Sequence, residues 1–216
     1  MLMTRDLAVG RNGVAVATPG DLQVDAGDSL LLLGPSGSGK STLLFTLAGL
    51  LTPIAGEVLL DGGPFSILPA GRRDRVRGER LGLVFQDVHL LAGLSVLDNV
   101  LLAPFAAGAA QNPERARTLV EELGLGWALR RPAETLSRGE AQRIAIARAM
   151  LMNPSVILAD EPTASLDDDN AATVASLLRR AADEAGAALV IATHDQRLKS
   201  AFPRQVHLAA RRSEAA

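Results

Sequence analysis

Gly34-Pro35-Ser36-Gly37-Ser38-Gly39-Lys40-Ser41 has the spacing G-x-x-x-x-G-K-[ST], with Thr42 directly after it. Those residue types suit one task, the holding of a polyphosphate. Such a ligand carries several negative charges and must be gripped without a large desolvation penalty. Glycines let backbone N–H groups converge on it, and a following helix points the positive end of its dipole at the same place. Lys40 would reach the β- and γ-phosphates of a nucleoside triphosphate, and the Ser41 hydroxyl would ligate Mg²⁺. Among 22 Lys and Arg residues, only Lys40 and Lys199 are lysine. A compact ammonium fits between phosphates where a planar guanidinium does not.

A second group of residues suits the chemistry of hydrolysis. Val156 to Ala159 is an apolar run that ends in Asp160 and Glu161. A buried strand would deliver Asp160 to the Mg²⁺ at its C-terminal end, where open α/β sheets bind ligands. Glu161, one residue on, is placed to polarise an attacking water. Ser137 and Glu140 fit the S-x-x-E capping box, and a helix N-terminus with a hydroxyl beside it is also an anion site. The chain thus offers two anion sites, of which only the first has a lysine.

The elements needed to position these groups are legible. Leu30 to Leu33 reads as a strand buried on both faces, and Thr42 to Leu50 as the helix after the loop. Arg11-Asn12-Gly13 between Leu7–Val9 and Val14–Val16 is a hairpin signal. Further strands are expected at 22–24, 56–60, 81–85, 156–159 and 189–192, and the residues from Gln86 to Asn153 read as helical. Asn112-Pro113 and Gly124 bound one helix, Gly139 to Met152 forms another, and a third runs from Asn170 to the stop at Gly186. The basic run Arg72 to Arg80 contains interleaved acids and no aromatics, which favours a solvated helix face over a nucleic-acid patch. The expected fold class is α/β: a core of residues 1–85 and 154–212 that begins with an antiparallel β subdomain, an inserted α-helical subdomain at 86–153, and a tail at 213–216.

Composition agrees with one soluble domain. Hydrophobic residues make up 48% of the 216, and a net charge of −2 gives no sign of a nucleic-acid partner. The absence of cysteine removes disulfides and thiolate metal sites. No run reaches the length of a membrane span, and the N-terminus lacks a signal-peptide core. No N-K-x-D base-reading motif follows the phosphate loop, which argues against a GTPase.

Taken in order, these motifs resemble the ATP-binding-cassette (ABC) ATPases, a P-loop NTPase family that powers membrane transporters. GPSGSGKST is similar to the family's Walker A, Gln86 to its Q-loop, and Leu136-Ser137-Arg138-Gly139-Glu140 to its signature. Val156 to Glu161 resembles Walker B, Ser165-Leu166-Asp167 the D-loop, and Thr193-His194-Asp195 the switch-histidine segment. The resemblance implies ATP and Mg²⁺ as ligands. It implies a head-to-tail homodimer or paired cassette, with Ser137 and Gly139 of one copy closing on the γ-phosphate held by the other. Gln86 would join Ser41 and Asp160 at Mg²⁺, and His194 would orient the water against Glu161, with Lys40 on the phosphates. It further implies a transmembrane permease subunit, a peripheral position on the cytoplasmic face of the inner membrane, and docking of a membrane subunit's helix near Val88 to Phe105, a stretch that reads equally as helical core. Phe85 to Leu91 and the ADEPTASLD segment are similar to the lipoprotein-release and macrolide-export type. The alternative is a soluble ABC ATPase serving a non-transport assembly. The chain departs from the family pattern in having Arg138 and Glu140 in the signature and no aromatic residue before Phe45 to stack on adenine. Arg11 is the expected substitute, either stacking on the base or simply solvated.

Overall fold

The structure, a computed structural model, describes residues 1–164 and 166–209. Ser165 and the expected tail at 213–216 lie outside the described residues. The chain opens with strands β1 (Leu2–Arg11), β2 (Val14–Ala17), β3 (Gln23–Val24) and β4 (Ser29–Leu33), then helix α1 (Lys40–Leu47). Strands β5 (Ala55–Leu60) and β6 (Gly63–Pro64), helix α2 (Ala70–Arg80) and strand β7 (Leu81–Val84) follow. Helices α3 (Val96–Ala107), α4 (Pro113–Glu122) and α5 (Arg138–Met150) come next. Strand β8 (Val156–Asp160), helix α6 (Asp168–Ala185), strand β9 (Ala188–Thr193) and strand β10 (Gln205–His207) close the described chain.

Two sheets result. One is antiparallel, in the order β2-β1-β5-β6 with β3 on β1; the other is parallel, in the order β10-β4-β9-β8-β7. The fold is therefore α/β. The Asn12-Gly13 turn closes the first hairpin with both residues at positive φ, 52° and 77°, whose twist suits the flanking strands. Strands β4, β8 and β9 are buried along their whole apolar runs because both faces of the parallel sheet are covered. On one face Leu30, Leu32, Leu158 and Val190 meet the antiparallel sheet and α1. On the other, Leu31, Leu33, Ile157 and Ile191 meet Ile146 of α5 and Val174 and Leu178 of α6. The four leucines of β4 together contribute on the order of 6–12 kcal/mol. That is comparable to the net stability of a whole domain, so the strand feeding the phosphate loop is firmly fixed.

A third apolar cluster joins Val96 and Val100 of α3, Val120 of α4 and Ile144 of α5. Helix α5 thus packs on the parallel sheet through one face and on α3 and α4 through another. Asn112 caps α4 by accepting from the Arg115 amide, and Gly186 ends α6 in the left-handed region, both as the sequence predicts. The arginines of α2 lie along a solvated helix, with Arg75 and Arg77 paired to Glu79 and Asp74.

Two expectations need correction. The residues after Gln86 are not helical until Val96: residues 85–95 form a loop built around the fully buried Asn99. Its amide accepts from Leu91 N at 2.7 Å and donates to the Leu91 and Ser95 carbonyls, replacing the bonds a helix would have made. Strand β10 is an addition. Three residues with no apolar run give no strand signal by themselves, and β10 exists because it pairs with β4 from Leu31 to Leu33.

Candidate active site

Strand β4 ends at Leu33, and the chain then wraps around a concavity before α1 begins. Gly37 and Gly39 sit at φ 80° and 92°, a conformation that strains other residues. At Gly34 a Cβ would lie 2.5 Å from Ser38 Oγ and 2.7 Å from the Leu208 carbonyl, so only glycine lets the loop close. Helix α1 starts at Lys40 with no side-chain cap and no acid in its first turn. Its free N–H groups leave a positive end without an internal partner, which is what an anion needs. The buried Ser38 Oγ has no hydrogen-bond partner among the described residues. Lys40 Nζ donates to the carbonyls of Gly34 at 2.9 Å and Pro35 at 3.2 Å, which holds the ammonium across the mouth of the loop.

Parallel pairing supplies the remaining groups. Asp160 ends β8 opposite Ala192 of β9, so the residues just past both strands, Glu161 and Thr193-His194, emerge side by side. Ser41 Oγ donates to Asp160 Oδ1 at 2.9 Å. Burial pushes the Asp160 carboxyl above the usual carboxylate range; the Glu161 charge adds to this, and the Ser41 hydrogen bond and Lys40 oppose it. A cation here would relieve that penalty, and the oxygen-only donors suit a hard one. Glu161 is turned into the site by a left-handed backbone, φ 45°. Its carboxylate accepts from Thr193 Oγ1 at 2.8 Å and His194 N at 3.2 Å, meets His194 Nδ1 at 2.8 Å, and lies 3.5 Å from Lys40 Nζ. Lys40 and Glu161 are nearly buried while the His194 side chain is 64% exposed, so the imidazole faces out over the carboxylate.

The structure therefore brings Lys40, Ser41, Asp160, Glu161 and His194 together. Ser36, Gly37, Gly39, Thr42 and Gln86 line the same cleft, whose volume is about 400 Å³. It does not bring Arg11 there. Arg11 pairs with Val14 at the far end of the hairpin, and the hairpin residue that lines the cleft is Val16. Two residues of strand, roughly 7 Å, separate the two positions. Ser137 and Gly139 do not line the cleft. They open α5, where Ser137 Oγ accepts from Glu140 N and the Glu140 carboxylate accepts from Ser137 N at 2.7 Å, completing the expected capping box. Arg138 sits within the first turn of α5, outside the left-handed region, so it adds no backbone strain to the signature segment. At Gly139 a Cβ would come within 2.9 Å of Asn170 Oδ1, so a larger residue would push the Asn170 side chain aside.

Thr163 and the bridging role of Thr193 escaped the sequence reading. Thr193 Oγ1 bridges Glu161 and the Asp195 amide, and Thr163 Oγ1 donates to Asp195 at 2.7 Å. Neither has a spacing signal, because the β8–β9 register alone sets both contacts.

The ABC transporter family model matches residues 18–164. The chain belongs to the ABC transporter family. Its curated relatives include the "Lipoprotein-releasing system ATP-binding protein LolD" of Shewanella sp. (strain MR-4), 42% identical over 88% of this chain and 84% of that protein. The protein of the same name from Anaeromyxobacter dehalogenans (strain 2CP-C) is 44% identical over 87% of this chain and 80% of its own length. Among solved structures, the dimeric bacterial ABC transporter cassette MJ0796 superposes with a TM-score of 0.86 at 30% identity, covering 98% of this chain and 97% of that one. A second structure of that cassette is a post-hydrolysis dimer bound to ADP and Pi. The cassette is accordingly an ATPase of the ABC transporter type.

Proposed function

We propose that this cassette is the ATP-hydrolysing subunit of a lipoprotein-releasing transporter, working with a separate transmembrane permease. The observation that carries the reading is the meeting of an uncapped helix N-terminus, Lys40, the Ser41–Asp160 pair and the Glu161–His194 pair in one cleft. Lys40 binds the β- and γ-phosphates, while Ser41, Asp160 and Gln86 would hold Mg²⁺. Bound there, the ion neutralises charge on the phosphates, and a single carboxylate with substrate oxygens is its usual setting. Glu161 accepts the proton of the attacking water and His194 orients it. Ser137 and Gly139 of a second copy complete the site. The division into a core of 1–85 and 154–212 and a helical subdomain of 86–153 belongs to the same reading.

Among the described residues no helix is long and apolar enough to cross a membrane. We further propose a peripheral position at the cytoplasmic face of the inner membrane, held there by the permease. A groove of about 520 Å³ between α2, α3 and α5, lined by Leu83, Phe85, His89, Leu102 and Met152, receives a helix of the permease. The cysteine-free chain allows a direct test. Leu102→Cys in native membranes is expected to crosslink to an integral membrane protein, and Mg²⁺-dependent phosphate release from ATP is expected of the purified protein. Crosslinks confined to soluble proteins would favour the non-transport assembly reading.

On this reading the nucleotide base meets Val16, the hairpin residue that lines the cleft. An isopropyl group lacks the stacking of an aromatic ring, which is worth about 1–3 kcal/mol per base. Val16→Tyr is therefore expected to tighten ATP binding by about tenfold or more, and Arg11→Ala to leave it unchanged. Nucleotide titration checks both. A loss of affinity in Arg11→Ala would return the base contact to Arg11.

A further inference from the structure

Beyond the residues that face the cleft, one ionic cluster ties together the two loops that carry Glu161 and His194. Arg197 lies in the short 3-10 turn after β9 and donates through Nε to both oxygens of Asp195, at 2.9 and 3.1 Å, and through Nη2 at 2.8 Å. Its Nη1 donates to Asp168 Oδ1 at 2.5 Å and to the Leu166 carbonyl at 3.4 Å. Asp195 also accepts from Thr163 Oγ1, and its amide donates to Thr193 Oγ1, which in turn donates to Glu161. The chain of contacts is unbroken from the Glu161 carboxylate to the first turn of α6.

Isolated surface ion pairs contribute about 0–1 kcal/mol, so an ordinary one would deserve no role. This one differs in three respects. The guanidinium fork grips Asp195 at both oxygens, a geometry that fixes orientation as well as adding energy. Asp195 is only 13% exposed, and these contacts, that to Arg197 foremost, hold its carboxyl down at about 2. Asp168 and Asp195, from the two loops, both pair with this single cation. Removing it would leave two carboxylates facing each other across the gap between the loops.

We propose that Arg197 is a positioning residue for hydrolysis, locking the 161–168 loop to the 193–200 loop so that Glu161 and His194 keep their relative placement. The proposal rests on the reading that Glu161 and His194 carry the chemistry. Arg197 touches neither, and acts through Asp195, Thr163 and Thr193. Small misplacements of reacting groups cost far more in rate than in affinity.

Steady-state kinetics of four variants test it. Arg197→Ala is expected to lower kcat about tenfold, with KM for MgATP and the melting temperature close to wild type. Arg197→Lys keeps the charge without the fork and should recover part of the loss. Asp168→Asn added to Arg197→Ala should also recover part, because it removes one of the repelling charges. Glu161→Gln serves as the control. A wild-type kcat in Arg197→Ala overturns the proposal, as does a loss that neither Lys nor Asp168→Asn restores. A fully active Glu161→Gln would instead overturn the catalytic reading on which the proposal stands.

Discussion

Lys40→Ala is expected to lower ATP turnover by about 10²–10³-fold, the usual cost of deleting one preorganised charge from a transition-state site. In this structure the ammonium is 6% exposed, bridges the Gly34 and Pro35 carbonyls and lies 3.5 Å from Glu161. It is thus already desolvated, and its exchange of carbonyl partners for phosphate oxygens requires little reorganisation. Arginine should not rescue the loss, because a planar guanidinium cannot occupy the narrow mouth between Gly34 and Gly39. Alanine also leaves Glu161 without its cation, and breaking a buried pair is commonly destabilising. The melting temperature must therefore be read beside the rate. Phosphate release measured with saturating MgATP decides the matter: wild-type turnover in a folded Lys40→Ala protein would sink the assignment of the loop.

What the sequence discloses divides by distance along the chain. The phosphate loop is local: strand, glycines, lysine and helix fall within about twenty consecutive residues, so spacing alone discloses both the structure and the chemistry. The second half of the site is partly local. Asp160 and Glu161 are legible at the end of an apolar strand, whereas their contacts with Ser41 and Thr193 come from sheet register and have no signature in the sequence.

Arg11 shows where a count and the lining of the cleft point to different residues. Counting residues back from Lys40 assumes a uniform path, but β1 carries a register shift between Val9 and Gly10, and its hairpin delivers Val16 to the cleft. The loop at 85–95 fails differently. Its apolar residues mimic a helical pattern, while the fully satisfied Asn99 amide holds them in a loop that no periodicity describes.

Helix α5 accounts for the most informative separation in the molecule. Its first turn carries Ser137 and Gly139, yet that turn lies outside the cleft formed by Lys40, Glu161 and His194. Under the proposed function a second copy would bring these residues to the cleft, and the similar cassette MJ0796 is a dimer. In that arrangement nucleotide would sit between the two surfaces, and the proposal ties closure to its binding and opening to its hydrolysis.

Glu161→Gln separates those two events. Glutamine has nearly the same shape, and its Oε1 can still accept from Thr193 Oγ1 and His194 N, the two contacts that orient the native carboxylate. Its Nε2 would then face His194 Nδ1, where the native oxygen sits at 2.8 Å. The position is preserved and only the proton acceptor is lost. Removing a positioned general base is expected to slow turnover by about 10²–10⁴-fold. Binding should survive, because Lys40, Ser41 and Asp160 are untouched and the amide no longer competes for the ammonium. With binding intact and hydrolysis blocked, an ATP-bound dimer should accumulate and elute earlier than the monomer on size exclusion in the presence of ATP. The two readouts fail independently. A variant that hydrolyses normally removes Glu161 as the base, and one that stays monomeric at high protein and ATP concentrations removes Ser137 and Gly139 from the partner's site.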